Sequence, residues 1–383
     1  MQKVRFGDVA ERINIHVDQQ NTDLEYYIGG EHIESCEFMI HSKAPIKGAT
    51  IGYQFQFGFE PNDILFMTKN PHLRKASMVD FRGLCSIATF VIRTKDKSQL
   101  LQEYLLLEMQ SDRFWQYLEE NKSGGVNYFI NWGTLSNYMF ELPDMSKQKE
   151  LSKKVWSAYR VKEAYKKLLV ATDEMVKSQF IEMFDKVKDN KYGYMSYRLS
   201  DCCSYISDGS HYSPKEDPNG QYPMLSVKDM TEKGFTYKDC KYISKEEYDK
   251  LVANGCKPEI NDVLVAKDGS YFKYSFALIE AREQAVLSSI AILRPNPAIV
   301  DSRYLAYYML TPEVIRLVEQ NYLTGTAIKR VILKGFKEIP VLTPPLDKQQ
   351  EFVSILQQAD KSKFELRKSI DAIDTVIKSL ING

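Results

Sequence analysis

The stretch Leu142-Pro143-Asp144-Met145-Ser146-Lys147-Gln148-Lys149-Glu150-Leu151 occurs a second time, in related form, as Thr343-Pro344-Pro345-Leu346-Asp347-Lys348-Gln349-Gln350-Glu351-Phe352. Around it, residues 124–180 and 325–381 align without a gap, at an offset of 201 residues. In both copies a proline precedes a long, lysine-rich segment of residues that favour helix. The repetition predicts a duplicated chain with pseudo-two-fold symmetry, which would suit a partner that is itself two-fold, such as duplex DNA read at two half-sites.

The duplication extends towards the beginning of each copy, with small changes in offset. The matching pairs are Val4-Arg5-Phe6-Gly7-Asp8 with Tyr197-Arg198-Leu199-Ser200-Asp201, Asn62-Asp63-Ile64-Leu65 with Asn261-Asp262-Val263-Leu264, and Phe90-Val91-Ile92-Arg93 with Ala291-Ile292-Leu293-Arg294. A period of about 200 residues is far longer than the unit of a solenoid, so the pattern indicates duplication of a domain.

Two segments without proline or glycine predict single long helices. They run from Lys147 to about Phe184 and from Asp347 to Asn382, and proline stands shortly before each. We therefore predict an α+β protein with two tandem α/β domains and two long helices. The predicted boundaries are 1–146 for the first domain, 147–190 for the first helix, 191–345 for the second domain and 346–383 for the second helix.

Apolar residues recur every seven positions along both segments, which predicts an antiparallel coiled coil under the pseudo-two-fold. The predicted interface comprises Leu151, Val155, Lys162, Leu169 and Val176 with Phe352, Leu356, Lys363, Leu366, Ile370, Ile373 and Ile377. Lys162 and Lys363 fall at equivalent points inside the apolar stripe. Each lysine either fixes the register of the pair or extends its charged end out of the interface, and the sequence favours neither.

The globular blocks carry short β-branched or aromatic runs typical of strands, such as Val263–Ala266 and Ile290–Leu293, and helix-prone segments at 98–120 and 302–320. Polar loops follow or adjoin these runs at 68–75, 207–212 and 267–273. Their candidate DNA contacts are Lys69, Asn70, His72, Arg74, Lys75, Ser210, His211, Lys267, Ser270, Tyr271 and Lys273. Such side chains pair with phosphates and base edges, although ordinary polar loops at strand ends have the same composition.

The composition excludes several classes of protein. The formal net charge is +0, with 51 basic and 51 acidic residues, which argues against a non-specific nucleic-acid binder. A P-loop, a Gly-x-Ser-x-Gly elbow and a His-Glu-x-x-His zinc motif are absent, and the five histidines have no ligand spacing. Six cysteines without repeated spacing suggest reduced thiols. We therefore expect a soluble cytoplasmic reader or scaffold, with no catalytic residues, no bound metal and no membrane segment.

The chain resembles the specificity (S) subunits of type I restriction-modification systems along nearly all of its length. The likeness is strongest at Pro344-Pro345-Leu346-Asp347-Lys348-Gln349 and its helix, and at the copy over 143–148, which keeps one proline and the glutamine. Asp208-Gly209-Ser210-His211 and Asp262–Ser270 look like patterns of target recognition domains in that family. In the first block, Asp63–Phe66, Asn70–Lys75 and Val79–Gly83 resemble another variant, which lacks the Asp-Gly-Ser-His piece.

The resemblance implies a non-catalytic subunit of a bacterial or archaeal adenine-DNA methyltransferase and type I site-specific deoxyribonuclease. Each target recognition domain would read one half of a split, asymmetric sequence in double-stranded DNA. The coiled coil would set the gap and dock two modification subunits. S-adenosylmethionine would then bind to the modification subunits, and ATP and Mg to the restriction subunits, with no cofactor on this chain.

The alternative from another class is a coiled-coil scaffold whose globular blocks bind protein without DNA specificity. It accounts for the neutral charge and the helices. It does not account for basic and glycine-containing loops at equivalent strand ends in both blocks. Binding that weakens as salt rises would favour DNA.

Overall fold

The computed structural model of the chain describes residues 2–19, 21–185, 190–325 and 329–383. The chain divides into two compact units. Unit 1 consists of Met1–Leu169 with Glu365–Gly383, and unit 2 of Val170–Phe364. Each of the two long helices therefore begins in one unit and ends in the other.

Unit 1 contains eleven strands among its described residues: β1 (Gln2–Arg5), β2 (Ala10–Ile13), β3 (Ile15–His16), β4 (Tyr26–Ile28), β5 (Ala44–Pro45), β6 (Phe55–Phe59), β7 (Ile64–Met67), β8 (Ala76–Met78), β9 (Gly83–Ser86), β10 (Thr89–Thr94) and β11 (Met139–Leu142). Its helices in this described part are α1 (Phe6–Val9), α2 (Gln102–Met109), α3 (Asp112–Glu120), α4 (Trp132–Ser136) and the start of α5 (Met145–Phe184). A short 3-10 helix covers Pro71–Leu73.

The strands of unit 1 form two main sheets. One has the order β2-β10-β7-β8 and the other the order β3-β6-β9-β4-β5, while β1 pairs with β11. Strand β10 lies antiparallel to both neighbours, with Val91 opposite Ile13 on one side and Leu65 on the other. Helices α2 and α3 cover the first sheet, where Trp115 stacks on Phe66 at 5.8 Å between ring centroids.

Unit 2 continues with the strands β12 (Met195–Arg198), β13 (Cys203–Asp208), β14 (Tyr222–Leu225), β15 (Met230–Thr231), β16 (Gly234–Phe235), β17 (Lys241–Ile243), β18 (Val263–Ala266), β19 (Ser275–Ala277), β20 (Ala285–Val286), β21 (Ile290–Pro295), β22 (Leu323–Thr324), β23 (Arg330–Val331) and β24 (Pro340–Thr343). Its helices are α6 (Leu199–Cys202), α7 (Lys245–Ala253), α8 (Ser302–Met309), α9 (Pro312–Asn321), α10 (Leu333–Glu338) and the start of α11 (Leu346–Asn382), with a 3-10 helix at Val227–Asp229.

The main sheet of unit 2 repeats that of unit 1. Its order β13-β21-β18-β19 corresponds to β2-β10-β7-β8, and β12 pairs with β24 as β1 does with β11. The second sheet differs, because unit 2 has only β17-β14-β20 where unit 1 has five strands. The duplication seen in the sequence therefore corresponds to the main sheet, which both units share, whereas the second sheet differs between the units.

A buried ion pair lies at the start of β7 in unit 1 and at the start of β18 in unit 2. In unit 1, the Arg93 guanidinium pairs with the buried Asp63 carboxylate, which also accepts a hydrogen bond from the Glu60 backbone N–H at 2.8 Å. In unit 2, Arg294 Nε donates to Asp262 Oδ1 at 2.8 Å, and the same carboxylate caps the Glu259 N–H at 2.7 Å. Both aspartates are nearly inaccessible, so each needs its arginine to remain charged in the core.

A buried glutamine joins each long helix to the domain before it. Gln148 accepts a hydrogen bond from the Leu101 N–H at 3.0 Å and donates to the carbonyls of Gln99 and Pro143, both at 2.9 Å. Gln349 makes the same three contacts, to the Asp301 N–H and to the Ile299 and Pro344 carbonyls. Both glutamines are fully buried, so each amide supplies hydrogen bonds to backbone groups at the entry of its helix.

The long helices begin close to the predicted positions. Helix α5 begins at Met145 and ends at Phe184, where Asp185 turns the backbone to the left-handed region at φ 64°. The predicted end at residue 190 falls past this turn, and residues 186–189 lie outside the described residues. Helix α11 covers Leu346–Asn382, within one residue of the predicted span. In the described part of the chain, no helix combines the length and apolar character that crossing a membrane requires.

The segments at 98–120 and 302–320 each contain two helices rather than one. In the first, α2 stops at Met109, and the Ser111 hydroxyl caps α3 by accepting from the Phe114 N–H at 3.3 Å. In the second, Pro312 occupies the first position of α9, where a backbone N–H has no partner within the helix. The same proline cannot continue the preceding helix.

Candidate nucleic-acid interface

The loop that follows β7 in unit 1 has a fixed backbone. The Thr68 N–H donates to the Ala88 carbonyl at 2.9 Å, and the Asn70 N–H donates to the Tyr128 carbonyl at 3.0 Å. Asn70 and Arg74 adopt left-handed conformations, at φ 55° and 49°, on either side of the short 3-10 helix. The loop therefore presents its side chains from a defined scaffold, as a sequence reader requires.

The five predicted contacts of this loop differ in their surroundings. Lys69, Asn70 and His72 are exposed. Arg74 Nη1 lies 2.6 Å from Asp112 Oδ1, and Lys75 Nζ donates to the Gly30 carbonyl at 2.7 Å. The first three side chains are therefore better placed to meet a nucleic acid than the last two, which already support the fold.

A neighbouring hairpin in unit 1 was not among the predicted contacts. Ser123 and Phe129 exchange two backbone hydrogen bonds at 2.9 Å, and Phe129 also bridges to Lys69. Val126 at the tip is 94% exposed, and Phe129 in the closing pair is 43% exposed. The gapless part of the repeat begins inside this hairpin, which was the signal in the sequence that could have identified it.

In unit 2, Lys267 lies at the end of β18 and is buried. Its Nζ lies 3.2 Å from Asp208 Oδ2 and 3.3 Å from Asp268 Oδ1. The ion pair with Asp208 brings the loop at 207–212 against the loop at 267–273. Because the lysine is only 4% exposed, its position suits holding the two loops together, and its direct contact with DNA stays a prediction.

The loop after β13 turns outwards over three residues. The Ser210 N–H donates to the Val286 carbonyl at 2.8 Å, and its hydroxyl donates to the Tyr212 carbonyl at 2.6 Å. Beyond this turn the His211 side chain is 78% exposed and Tyr212 is 60% exposed. Ser210 therefore shapes the turn, while His211 and the unpredicted Tyr212 form its accessible surface.

The remaining predicted residues of unit 2 lie on the loop after β18. Ser270 and Lys273 are exposed, and Lys273 Nζ lies 5.1 Å from the centroid of the Tyr274 ring. Tyr271 donates from its hydroxyl to Glu319 Oε1 at 3.0 Å, and this hydrogen bond raises the pKa of the tyrosine. Ser270 and Lys273 are thus the accessible members of this loop.

The two strand-end loops share one pattern of backbone hydrogen bonds. In unit 1, Thr68 donates to Ala88 and accepts from the Ile130 N–H at 2.9 Å. In unit 2, Lys267 donates to the Ser289 carbonyl at 2.8 Å and accepts from the Val331 N–H at 3.2 Å. The Asn70 contact with Tyr128 likewise recurs as a 2.9 Å bond from the Gly269 N–H to the Lys329 carbonyl. Equivalent backbone thus carries different side chains in the two units.

The residues predicted for the helix interface occupy buried or half-buried positions in their own units. In unit 1, Val155 and Ile377 belong to one core cluster. In unit 2, Val176 and Phe352 belong to another, and the rings of Phe180 and Phe352 are 5.2 Å apart. Residues from the start of one helix therefore pack with residues from the end of the other, which is the antiparallel arrangement.

Lys162 and Lys363 make reciprocal ion pairs. Lys162 Nζ lies 2.8 Å from Asp374 Oδ1 in unit 1, and Lys363 Nζ lies 3.0 Å from Asp173 Oδ1 in unit 2. The offset of 201 that relates the two lysines also relates the two aspartates. Each lysine therefore meets the aspartate of the other repeat, and the pairing favours the register role over simple extension into solvent.

One group of potential metal ligands occurs among the described residues. The ligand atoms of Glu37, His41 and Glu163 lie within 4.8 Å of one another. However, Lys162 Nζ and Lys166 Nζ lie 2.9 and 3.0 Å from Glu37 Oε1. Ammonium groups already neutralise this carboxylate, so the donor set suits an ion-pair network better than a cation site.

Comparison with known proteins gives consistent matches. Residues 192–373 match the family described as "Type I restriction modification DNA specificity domain". The type I restriction enzyme MjaVIII specificity subunit of Methanocaldococcus jannaschii is 28% identical over 167 residues, which are 43% of this chain and 35% of that protein. The alignment thus spans about a third of the curated relative's length.

Two solved structures share the fold over 99% of this chain. One comes from work on complex assembly and conformational transition of the type I R-M system; it is 18% identical, is covered to 96% and gives a TM-score of 0.59. The other is the type I restriction-modification system S subunit from M. genitalium, which is 11% identical, is covered to 94% and gives a TM-score of 0.54. At these identities the likeness concerns the fold.

Residues 192–373 thus match a DNA specificity domain, and the whole chain shares its fold with two solved type I restriction-modification structures. The chain is therefore similar to the specificity subunits of type I restriction-modification systems, as the sequence motifs indicated. The predicted fold class, with two α/β domains and two long helices, is confirmed.

Proposed function

We propose that each unit reads one half of a split, asymmetric target in double-stranded DNA. The observation that carries this proposal is the shared strand-end backbone with its divergent side chains. In unit 1 the exposed side chains include Lys69, Asn70 and His72, and in unit 2 they include His211 and Lys273. Lysine, asparagine and histidine side chains donate to phosphates or base edges, so different sets at one scaffold position read different half-sites.

The long helices would set the distance between the two half-sites and dock two modification subunits. Exposed apolar side chains on these helices support docking of protein, because water-facing apolar groups of this size favour burial. In unit 1 they are Val161, Leu168 and Val376, and in unit 2 Val170, Met175, Ile181 and Phe364.

The proposed complex separates recognition from chemistry. This chain would supply no catalytic residue, as is general for specificity subunits. The modification subunits would bind S-adenosylmethionine and methylate adenine, and restriction subunits would use ATP and Mg for translocation and cleavage. Loss of methylation on removing this chain, with the S-adenosylmethionine affinity of the modification subunit unchanged, is the expected result.

The proposal is tested by selection of DNA from a random pool. The chain is co-expressed with candidate modification subunits, and the purified complex is mixed with the pool in a gel-shift assay. Two short conserved blocks separated by a constant unspecified spacer are expected. One continuous motif, or no enrichment, would contradict the proposal.

Docking is tested separately on the accessible helix face. Val376→Lys should lower the amount of modification subunit that co-elutes in size-exclusion chromatography, while Lys368→Glu serves as a charge-changing control at another exposed position of the same helix. Equal assembly of Val376→Lys and the unaltered chain would place the docking face elsewhere.

A further inference from the structure

One segment of the globular part of unit 1 packs across helix α5. Residues 29–43, between β4 and β5, form this crossing segment. Phe38 stacks on the Tyr159 ring at 4.9 Å with an interplanar angle of 11°, and meets Trp156 edge-on at 5.5 Å. Phe38 is only 4% exposed, so an aromatic contact fixes where the segment touches the helix.

Around that contact lies a network of charged and polar groups. Glu37 Oε1 lies 2.9 Å from Lys162 Nζ and 3.0 Å from Lys166 Nζ. The Tyr159 hydroxyl donates to Glu37 Oε2 at 3.2 Å. Glu37 therefore gathers three donors from one face of α5 onto a single carboxylate.

The network continues to a third segment of the chain and to the other end of the crossing segment. Lys162 also pairs with Asp374 of helix α11 at 2.8 Å. His41 Nε2 lies 3.0 Å from Glu163 Oε2 and 3.2 Å from the Tyr159 hydroxyl. The crossing segment, α5 and α11 are thus joined by one set of contacts within unit 1.

Burial makes these contacts strong relative to surface ion pairs. Lys162 is 7% exposed, and the Glu37 side chain is 12% exposed. Burial alone would raise the pKa of Glu37, but hydrogen bonds from Lys162 and Lys166 outweigh it and lower that pKa. The Glu37 carboxylate is therefore charged at neutral pH. Removing its charge would deprive Lys162 and Lys166 of the carboxylate that they share.

Unit 2 attaches its globular part to the helices differently at the equivalent place. The carboxylates beside Lys363 Nζ are Asp173 and Asp360, at 3.0 and 3.2 Å, and both lie on the long helices. The globular part contributes Lys233, whose Nζ lies 5.4 Å from the centroid of the Phe364 ring. Among the described residues, a carboxylate from the globular part thus pairs with Lys162 in unit 1, whereas the carboxylates beside Lys363 in unit 2 belong to the helices.

We propose that Glu37 is a positioning residue that fixes the orientation of the first recognition domain on the helix pair, and thereby the spacer length that the protein accepts. This inference rests on the proposed function. One additional base pair in the spacer moves a half-site by about 3.4 Å and rotates it by about 35°. A domain held by Glu37 resists that displacement, whereas a domain held by the aromatic contact alone tolerates more of it.

The test uses the complex with its modification subunits and measures affinity for the selected site and for sites with one base pair added or removed. Unaltered protein should lose affinity about tenfold on either spacer change. Glu37→Gln should lose only about threefold or less, with its base preferences inside both half-sites retained. Glu150→Gln is the matched control, because Glu150 pairs with Lys154 on the exposed face of α5.

Lys166→Met provides a second variant should Glu37→Gln not fold, because Lys166 is half-exposed and is one of two cations on the carboxylate. It should relax spacer selectivity in the same direction, by a smaller factor. Spacer selectivity as strict as in the unaltered protein, in a folded Glu37→Gln or Lys166→Met variant, overturns the inference. Failure of the unaltered complex to select any split site would instead overturn the proposed function.

Discussion

Asp63 of unit 1 and Asp262 of unit 2 make the same contacts, whereas the side chains of Thr68 and Lys267, five residues further on in each, do not. Both aspartates are buried against an arginine and cap the turn before the strand. Thr68 donates its hydroxyl to the Ala88 carbonyl, while Lys267 pairs with Asp208. The buried Asp–Arg pair is therefore common to both units, while the side chain five residues later has different contacts in each. The shared pair and the strand-end loop can thus change independently.

The largest expected effect concerns the common frame. Asp262→Ala should lower the free energy of unfolding of unit 2 by about 3 kcal/mol, because Arg294 and the Glu259 N–H lose their buried partner. Asp63→Ala should do the same to unit 1. Denaturant titration followed by circular dichroism measures both, with the exposed Asp239→Ala as the control. Markedly unequal losses would show that the two frames are not energetically equivalent.

The helix entries give the next effect. Gln349→Ala should destabilise the protein by roughly 2 kcal/mol, because three backbone groups lose their buried partner. Gln350→Ala, at the adjacent exposed position, should change stability by less than about 0.5 kcal/mol. Thermal unfolding distinguishes the two, and a neutral Gln349→Ala would argue that water replaces the amide.

Lys162 and Lys363 test a difference between the units. Lys162→Met should cost about 2 kcal/mol, because it removes one of the two lysines that pair with the buried Glu37 carboxylate, in addition to the pair with the half-exposed Asp374. Lys363→Met should cost less than about 1 kcal/mol, because Asp173 and Asp360 are largely exposed. Equal costs in denaturant titration would mean that Glu37 adds nothing to the reciprocal pair.

Substitutions in the loops of one unit should weaken DNA binding at one half-site only. His211→Ala is expected to weaken binding about tenfold for DNA carrying the unit 2 half-site, with stability unchanged, because its side chain is exposed. Lys267→Ala should weaken the same half-site and also destabilise the loop pair, and Arg74→Ala should affect the unit 1 half-site. Gel shifts on paired half-site variants measure this; equal loss for all sequences would assign these residues to phosphates.

The smallest effect is a dependence on pH. Since the folded-state pKa of Glu37 is lowered, folding is favoured by its charge above the unfolded pKa of about 4.3 and loses that contribution as the pH falls through the folded value. The stability difference between the unaltered protein and Glu37→Gln should therefore be largest near neutral pH and shrink below about pH 4. A constant difference across that range would contradict the lowered pKa.

The sequence predicted the elements whose cause is local or repeated. Proline before a breaker-free segment placed both helix starts, and the repeated Asn-Asp strand start marked β7 and β18. The helix positions spaced by sevens lie at buried or half-buried sites, Lys162 among them. These features follow from backbone chemistry and periodicity, which neighbouring residues determine.

The contacts of the candidate site could not be predicted in the same way. Glu37 and Lys162 are 125 residues apart, too far for a pattern along the chain to pair them. Lys267 had the composition of a DNA contact, but its burial depends on Asp208 from a separate strand. Pairings of this kind arise from tertiary packing, so the loops yielded residue types and positions but not partners.

Gly209 has a consequence for engineering the second domain. A Cβ atom on this residue would lie 2.0 Å from the Val286 carbonyl oxygen, so any side chain there would push the loop after β13 away from strand β20. A combinatorial library that diversifies this loop should therefore keep Gly209 invariant and begin at His211, after the serine turn. Clones that retain new specificities should all preserve this glycine, which makes it a natural splice point for transplanted loops.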